Sequence, residues 1–268
     1  METLKEIIKA HIDYRKQLFK LAKSDIIKTY KGAALGWAWA LIKPAIQIFV
    51  FWFAFTIGLR HGKPVEGYPY FLWLIAGMIP WFYMRDTITG GAASLRRYTY
   101  LVTKIKYPIC TIPTFVSMSL FLVHMGLLTI VILIYIGFGY MPDIYYLQLP
   151  FYMFLMFMFF TTWGLFASVL SAMSRDFLNL VKSLTTALFW LSGILYNAQE
   201  IKPLILRKIL MFNPITLITN GYRDCFVYKE WFWENPIELR NYVIVLTVMA
   251  ILAVWAYKKL KKDVPDVL

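Results

Sequence analysis

The chain has 268 residues, of which 60% are hydrophobic, 18% aromatic and 16% charged, and it carries a formal net charge of +13. So apolar a composition excludes an ordinary soluble domain of this size, and several segments reach the length needed to cross a bilayer. The basic residues lie between the apolar segments rather than in one patch, which reads as membrane topology and argues against a nucleic-acid surface.

Residues 1–31 are charged and amphipathic, with no compact apolar core ahead of a small-residue cleavage site, so no signal peptide is expected. On a helical wheel Leu4, Ile7, Ile8, Ile12, Tyr14, Leu18, Phe19 and Ala22 share one face, while Lys5, Lys9, Lys16, Lys20 and Lys23 fall elsewhere. This pattern predicts a helix lying in the membrane interface, its basic side on anionic headgroups. Arg15 interrupts the apolar stripe and snorkels.

Six apolar segments follow, at residues 37–59, 68–83, 109–139, 149–173, 178–196 and 242–257. The second and sixth are short against the ~20 residues a span takes, and the third and fourth are long enough to tilt. An even number of spans puts both termini on one side. That side holds 18 Lys and Arg residues and the opposite loops hold 8, so the termini are expected in the cytoplasm. Between the fifth and sixth segments, residues 201–212 and 215–227 are apolar stretches broken by Asn213-Pro214. Neither is clean enough to span. Two short helices dipping into the outer leaflet is the natural reading, and an ordinary surface hairpin is the alternative. The expected fold is all-α, one membrane domain over residues 1–268.

Candidate chemistry is sparse. The Gly62-Lys63 pair is followed by Pro64 and lacks a glycine five residues earlier, so no phosphate-binding loop is expected. His11, His61 and His124 share no helical spacing, and no metal site is expected. His124 lies mid-span. It is either a functional ionisable group or a neutral imidazole bonded to a neighbouring helix. Cys110 and Cys225 fall near opposite membrane faces, too far apart to pair, and read as apolar packing residues. The neighbours Arg85-Asp86, Arg175-Asp176 and Arg223-Asp224 do not face each other on a helix, and no carboxylates cluster as a membrane glycosyltransferase would need. The chain has 21 Phe, 18 Tyr and 10 Trp. Many suit an interfacial belt. The excess would suit a pore that lets sugar rings slide over aromatic faces, with Trp39, Trp81, Phe82, Tyr83, Trp163 and Trp190 as candidates.

Several stretches together carry a resemblance. They are Lys28-x-x-Lys31, Leu35-Gly36-x-x-Trp39-x-x-x-x-Pro44, Gly77-Met78-Ile79-Pro80-Trp81-Phe82-Tyr83, Lys104-x-x-Tyr107-Pro108, Ser174-Arg175-Asp176, and Asn213-Pro214 with Arg223. In this order and spacing the chain resembles the membrane subunits of bacterial type-2 ABC polysaccharide exporters, and is similar to the O-antigen, teichoic acid and capsule exporters. The resemblance implies a channel half with no catalysis of its own, no cofactor in this chain, and ATP and Mg on a separate ATPase subunit. It implies a homodimer with two ATPase copies and a polyprenyl-diphosphate-linked glycan as cargo, in the bacterial inner membrane. Residues 94–107, with Leu95, Arg96, Arg97, Tyr98, Lys104 and Lys106, would form the coupling helix. Leu35, Gly36 and Trp37 would close the cytoplasmic mouth, and Lys28, Lys31 and Arg175 would attract the diphosphate. Helices in residues 200–228, with Asn213, Pro214 and Arg223, would gate the outer side. A small-molecule exporter of the same fold is the alternative.

Overall fold

A computed structural model describes residues 2–32, 34–58, 63–105 and 107–268 of the chain. Lys106, expected in the coupling helix, lies outside these residues, as do Leu59, Arg60, His61 and Gly62. Among the described residues every regular element is helical, apart from one isolated bridge between Val65 and Tyr68. The all-α expectation holds.

The amphipathic arm forms two helices, α1 (Glu2–Asp13) and α2 (Arg15–Tyr30), parted at Tyr14. The expected apolar stripe divides between two environments. Leu18, Ala22 and Ile26 are buried against the protein, whereas Leu4, Ile8, Ile12 and Phe19 are exposed. The arm is also tied down by polar bonds. His11 Nε2 lies 2.8 Å from Thr114 Oγ1, and Glu6 accepts from Tyr257 and Lys261.

After a short turn of helix over Gly36–Ala38 comes α3 (Trp39–Phe53), of which only Pro44 is buried. Then follow α4 (Tyr70–Arg97) and the short α5 (Thr99–Thr103). The sequence pattern ended the second span at Tyr83, but α4 runs on without a break for 28 residues, ~42 Å at the helical rise. The charges that stop the apolar run do not stop the helix: Arg85 is bonded to Gln47 at 3.0 Å and, although the two neighbours were expected not to face each other, to Asp86 at 2.8 Å. Further along, Gly91 crosses Gly164 so closely that a Cβ on Gly91 would stand 3.0 Å from the Gly164 Cα. That contact needs glycine at 91, whereas a Cβ on Gly164 would stand 3.6 Å from Gly91 Cα and meet Pro113 first, at 3.3 Å.

Around α4 stand α6 (Ile112–Gly137), α7 (Leu149–Met173) and α8 (Arg175–Leu191). The fifth span was expected over 178–196. Its helix ends at Leu191, and a turn containing Gly193 at φ +71° follows. The segment after α8 contains the two expected short helices, α9 (Leu204–Leu210) and α10 (Pro214–Arg223). They differ in burial: α9 exposes Leu204, Ile205, Leu206 and Ile209, whereas α10 is buried from Ile215 to Arg223. The chain closes with α11 (Pro236–Leu260) and α12 (Val264–Val267).

Among the described residues four helical stretches have the length and apolarity of membrane spans: Gly36–Gly58, Ile109–Gly137, Ile144–Met173 and Pro236–Leu260. The second and fifth of the six expected spans do not meet both conditions. In α4 the reason is its charged residues Arg85, Asp86, Arg96 and Arg97; α8 has 17 residues and includes Lys182.

Candidate functional site

Three clusters of polar residues stand out, one where α2 meets the end of α4, one within the bundle and one under α10. The first centres on Asp25, which is 3% exposed. It sits on the buried side of α2, in helical register with Leu18 and Ala22. One carboxylate oxygen accepts from the Tyr98 hydroxyl and lies 3.0 Å from Arg97 Nη2. The other accepts from Ser119 Oγ on α6 at 2.5 Å. Burial foremost, and then the Asp25 bond, push the Tyr98 phenol above its usual range, so it remains a donor. Asp25 therefore joins the arm, the end of α4 and α6 at a single point.

This arrangement redistributes the residues expected to dock an ATPase. Leu95 and Tyr98 are buried. Arg96 donates to the carbonyls of Ser171 and Ala172 at 2.6 and 2.8 Å, capping the end of α7. Leu95, Arg96 and Arg97 are the last turn of α4 rather than a separate helix. Among the described residues of this segment the exposed ones are Arg97, Tyr100, Thr103, Lys104 and Ile105, with Lys28 Nζ 5.9 Å from the Tyr100 ring centroid. Leu35 and Trp37 are exposed, and Trp37 stacks on Tyr30 with centroids 5.3 Å apart. Lys28, Lys31 and Arg175 are all exposed, and no hydrogen bond or ion pair among the described residues brings them together.

The second cluster lines a cavity of about 540 Å³. Tyr30 closes α2 at its edge, Trp39 and Lys43 enter from α3, Phe82, Tyr83, Arg85 and Asp86 from α4, and Leu120, Val123 and His124 from α6. His124 is 2% exposed, and its Nε2 lies 2.7 Å from the Tyr222 hydroxyl. Its Nδ1 has no hydrogen-bond partner among the described residues. A smaller cavity of about 200 Å³ shares Tyr30, Asp86 and Val123 and leads toward Asp25 and Arg97.

The aromatic candidates do not form one surface. Trp39, Phe82 and Tyr83 border the cavity. Trp81 is buried against Phe189 with centroids 5.5 Å apart, Trp163 donates to the Ile88 carbonyl at 3.3 Å, and Trp190 is exposed on α8.

The third cluster unites Asn213, Pro214 and Arg223. Asn213 caps α10 by accepting from the Ile215 N–H at 2.9 Å and donates to Ser192 Oγ at 2.8 Å. Pro214 occupies the first turn of α10, where no N–H is needed. Arg223, 1% exposed, donates to the carbonyls of Gly193 and Ile194 at 2.8 and 2.5 Å. Its guanidinium carbon lies 3.6 Å from the Trp73 ring centroid. Gly77 leaves the space, since a Cβ there would stand 2.6 Å from Arg223 Nη2. These residues fasten α10 to the turn after α8.

Sequence reasoning missed Asp25, Ser119, Lys43 and Tyr222. Asp25 carried a readable signal, an acid on the buried face of a basic helix. The others join through tertiary packing that no local spacing records.

Residues 16–227 match the family model described as ABC-2 type transporter. An O-antigen export system permease protein RfbA of Myxococcus xanthus is 22% identical over 251 residues, covering 93% of each chain. A protein of the same description from Klebsiella pneumoniae is 23% identical over 235 residues, or 87% of this chain and 89% of the relative. Another from Klebsiella pneumoniae is 22% identical over 254 residues, 94% of each. With most of the chain matched and a bundle holding several helices of spanning length and apolarity, this protein belongs to the ABC-2 type transporter family and is a multi-pass membrane permease.

Proposed function

We propose that the chain is the channel-forming subunit of an ATP-driven exporter that moves a polyprenyl-diphosphate-linked, O-antigen-like polysaccharide outward across the inner membrane. The observation that carries this reading is the near-full-length similarity to three O-antigen export permeases. Two copies pair along α3 and α8, whose outer sides leave Phe49, Phe53, Leu184 and Trp190 exposed. A pair of ATPase subunits docks on the cytoplasmic tip through Tyr100, Lys104 and Ile105. Its motion reaches the bundle through the last turn of α4, which Asp25 and Arg96 bind to α2 and α7. Leu35, Gly36 and Trp37 stand at the cytoplasmic mouth, and the Asn213–Arg223 fastening sets the outer helices. Hydrolysis belongs to the ATPase subunit.

The test is ATPase activity in nanodiscs, with this protein alone and with its ATPase partner, with and without the lipid-linked glycan. Activity that needs the partner and rises with the glycan supports the reading. Failure of the two proteins to associate, or modification of the glycan by this chain alone, overturns it.

A further inference from the structure

We infer that the cavity between α3, α4 and α6 is the seat of the phosphate and first sugar of a lipid-linked glycan, with Lys43 and Arg85 on the phosphate and Trp39 and Asp86 on the sugar. The assignment deepens the export reading and rests on it. It differs from a site built on Lys28, Lys31 and Arg175, which share no such enclosure.

The volume, about 540 Å³, falls in the range of small-molecule sites. His124 lies 12 residues into α6, ~18 Å from the start of that helix, so the cavity reaches well into the bundle from the cytoplasmic side. The cations are available for a ligand. Lys43 is exposed and has no ion-pair partner among the described residues. Arg85 spends Nε on Asp86 and Nη1 on Gln47, which leaves Nη2 free to donate. Lysine and arginine together are the ordinary means of holding a phosphate oxyanion.

A phosphate gains nothing from a carboxylate beside those cations. This cavity has one: Asp86 keeps its side chain 46% exposed and one oxygen outside the Arg85 bond. A carboxylate that accepts from hydroxyls, beside aromatic rings that cover C–H faces, suits a sugar ring. Trp39 supplies such a ring, with Lys43 Nζ 5.9 Å from its centroid, so phosphate and sugar positions adjoin. Leu120, Val123 and Leu127 form an apolar wall on α6 for the start of the lipid chain. The deepest polar group is His124, nine-tenths buried and more, with Nδ1 lacking a partner among the described residues. Its ring, held by Tyr222 through Nε2, forms part of the cavity wall.

The experiment measures binding of farnesyl diphosphate bearing a single glucose to the full permease–ATPase complex in neutral nanodiscs. Lys43→Gln, at an exposed position, is expected to weaken binding at least tenfold, and Asp86→Asn to weaken the glucosylated probe more than farnesyl diphosphate alone. Phosphatidylglycerol in the nanodisc and inorganic diphosphate are the competitors, and neither is expected to displace the probe. Equal binding by wild type and Lys43→Gln overturns the assignment, as does displacement by phosphatidylglycerol, which would make this a bulk-lipid site. Deleting the chain separates the two readings. Loss of surface polysaccharide on deletion, with unchanged binding in Lys43→Gln, removes the cavity assignment alone. Surface polysaccharide that survives deletion removes the export reading, and the assignment with it.

Discussion

Asp25 joins three helices through three oxygen and nitrogen neighbours, and replacing it should be felt at each. In Asp25→Asn the amide nitrogen would face groups that now donate, and Arg97 would lose its counter-charge. The expected cost is about 1–3 kcal/mol, read as a lower melting temperature in detergent. Gly77 and Arg223 allow a sharper test. Gly77→Ala forces the guanidinium off its seat on Trp73 and should destabilise by about 1–3 kcal/mol. In an Arg223→Met background the same substitution should cost clearly less, because the flexible thioether gives way. Equal costs in both backgrounds would show that the pair does not interact. At this scale the sequence was unevenly legible. Leu18, Ala22 and Asp25 recur at helical spacing, so the buried acid could be read from the arm. Arg223 could not be read in that way, since its partners are main-chain carbonyls at residues 193 and 194, which no side-chain pattern encodes.

The gap between apolar run and helix is widest in α4. The hydropathic signal stops near Tyr83, while the backbone stays helical to Arg97 because intrahelical bonds and the packing of α7 do not depend on apolarity. Leu95 and Lys104, nine residues apart, consequently belong to different functions. Leu95→Ala should lower stability by about 2–5 kcal/mol through a buried cavity. Lys104→Glu combined with Ile105→Ala should leave melting within about 1 kcal/mol of wild type, as surface changes do. The same pair should weaken binding of the ATPase subunit at least tenfold in a pull-down titration. If Leu95→Ala instead weakened binding without a stability change, the interior placement of this turn would be wrong. The outer helices were half legible. Asn213-Pro214 was legible as a break between two stretches, whereas the immersion of α10 in the bundle depends on the depth of the groove between α4 and α7.

For the whole molecule, composition told most: an apolar, aromatic, all-helical chain whose positive charges lie between its spans. Four of the six expected spans have the length and apolarity of crossing helices. The other two lean on protein neighbours, α4 being surrounded by α6, α7, α8 and α10. By contrast α3 is nearly bare, and its exposed Phe49 and Phe53 await a second copy in the proposed assembly. In a cysteine-free background, Phe49→Cys should form a disulfide between two copies on mild oxidation in membranes, visible as a dimer band, while a cysteine at exposed Leu133 on α6 should not.

Glu6 accepts from Tyr257 and Lys261, residues separated from it by almost the entire chain. During synthesis the arm emerges long before these partners do. Until they do, the arm holds only part of its final set of bonds, and its exposed leucines and isoleucines remain open to the lipid surface or to a protease. Seating of the arm thus depends on α11 having been made, and a chain cut short before α11 would present an unlatched α1 as its mark.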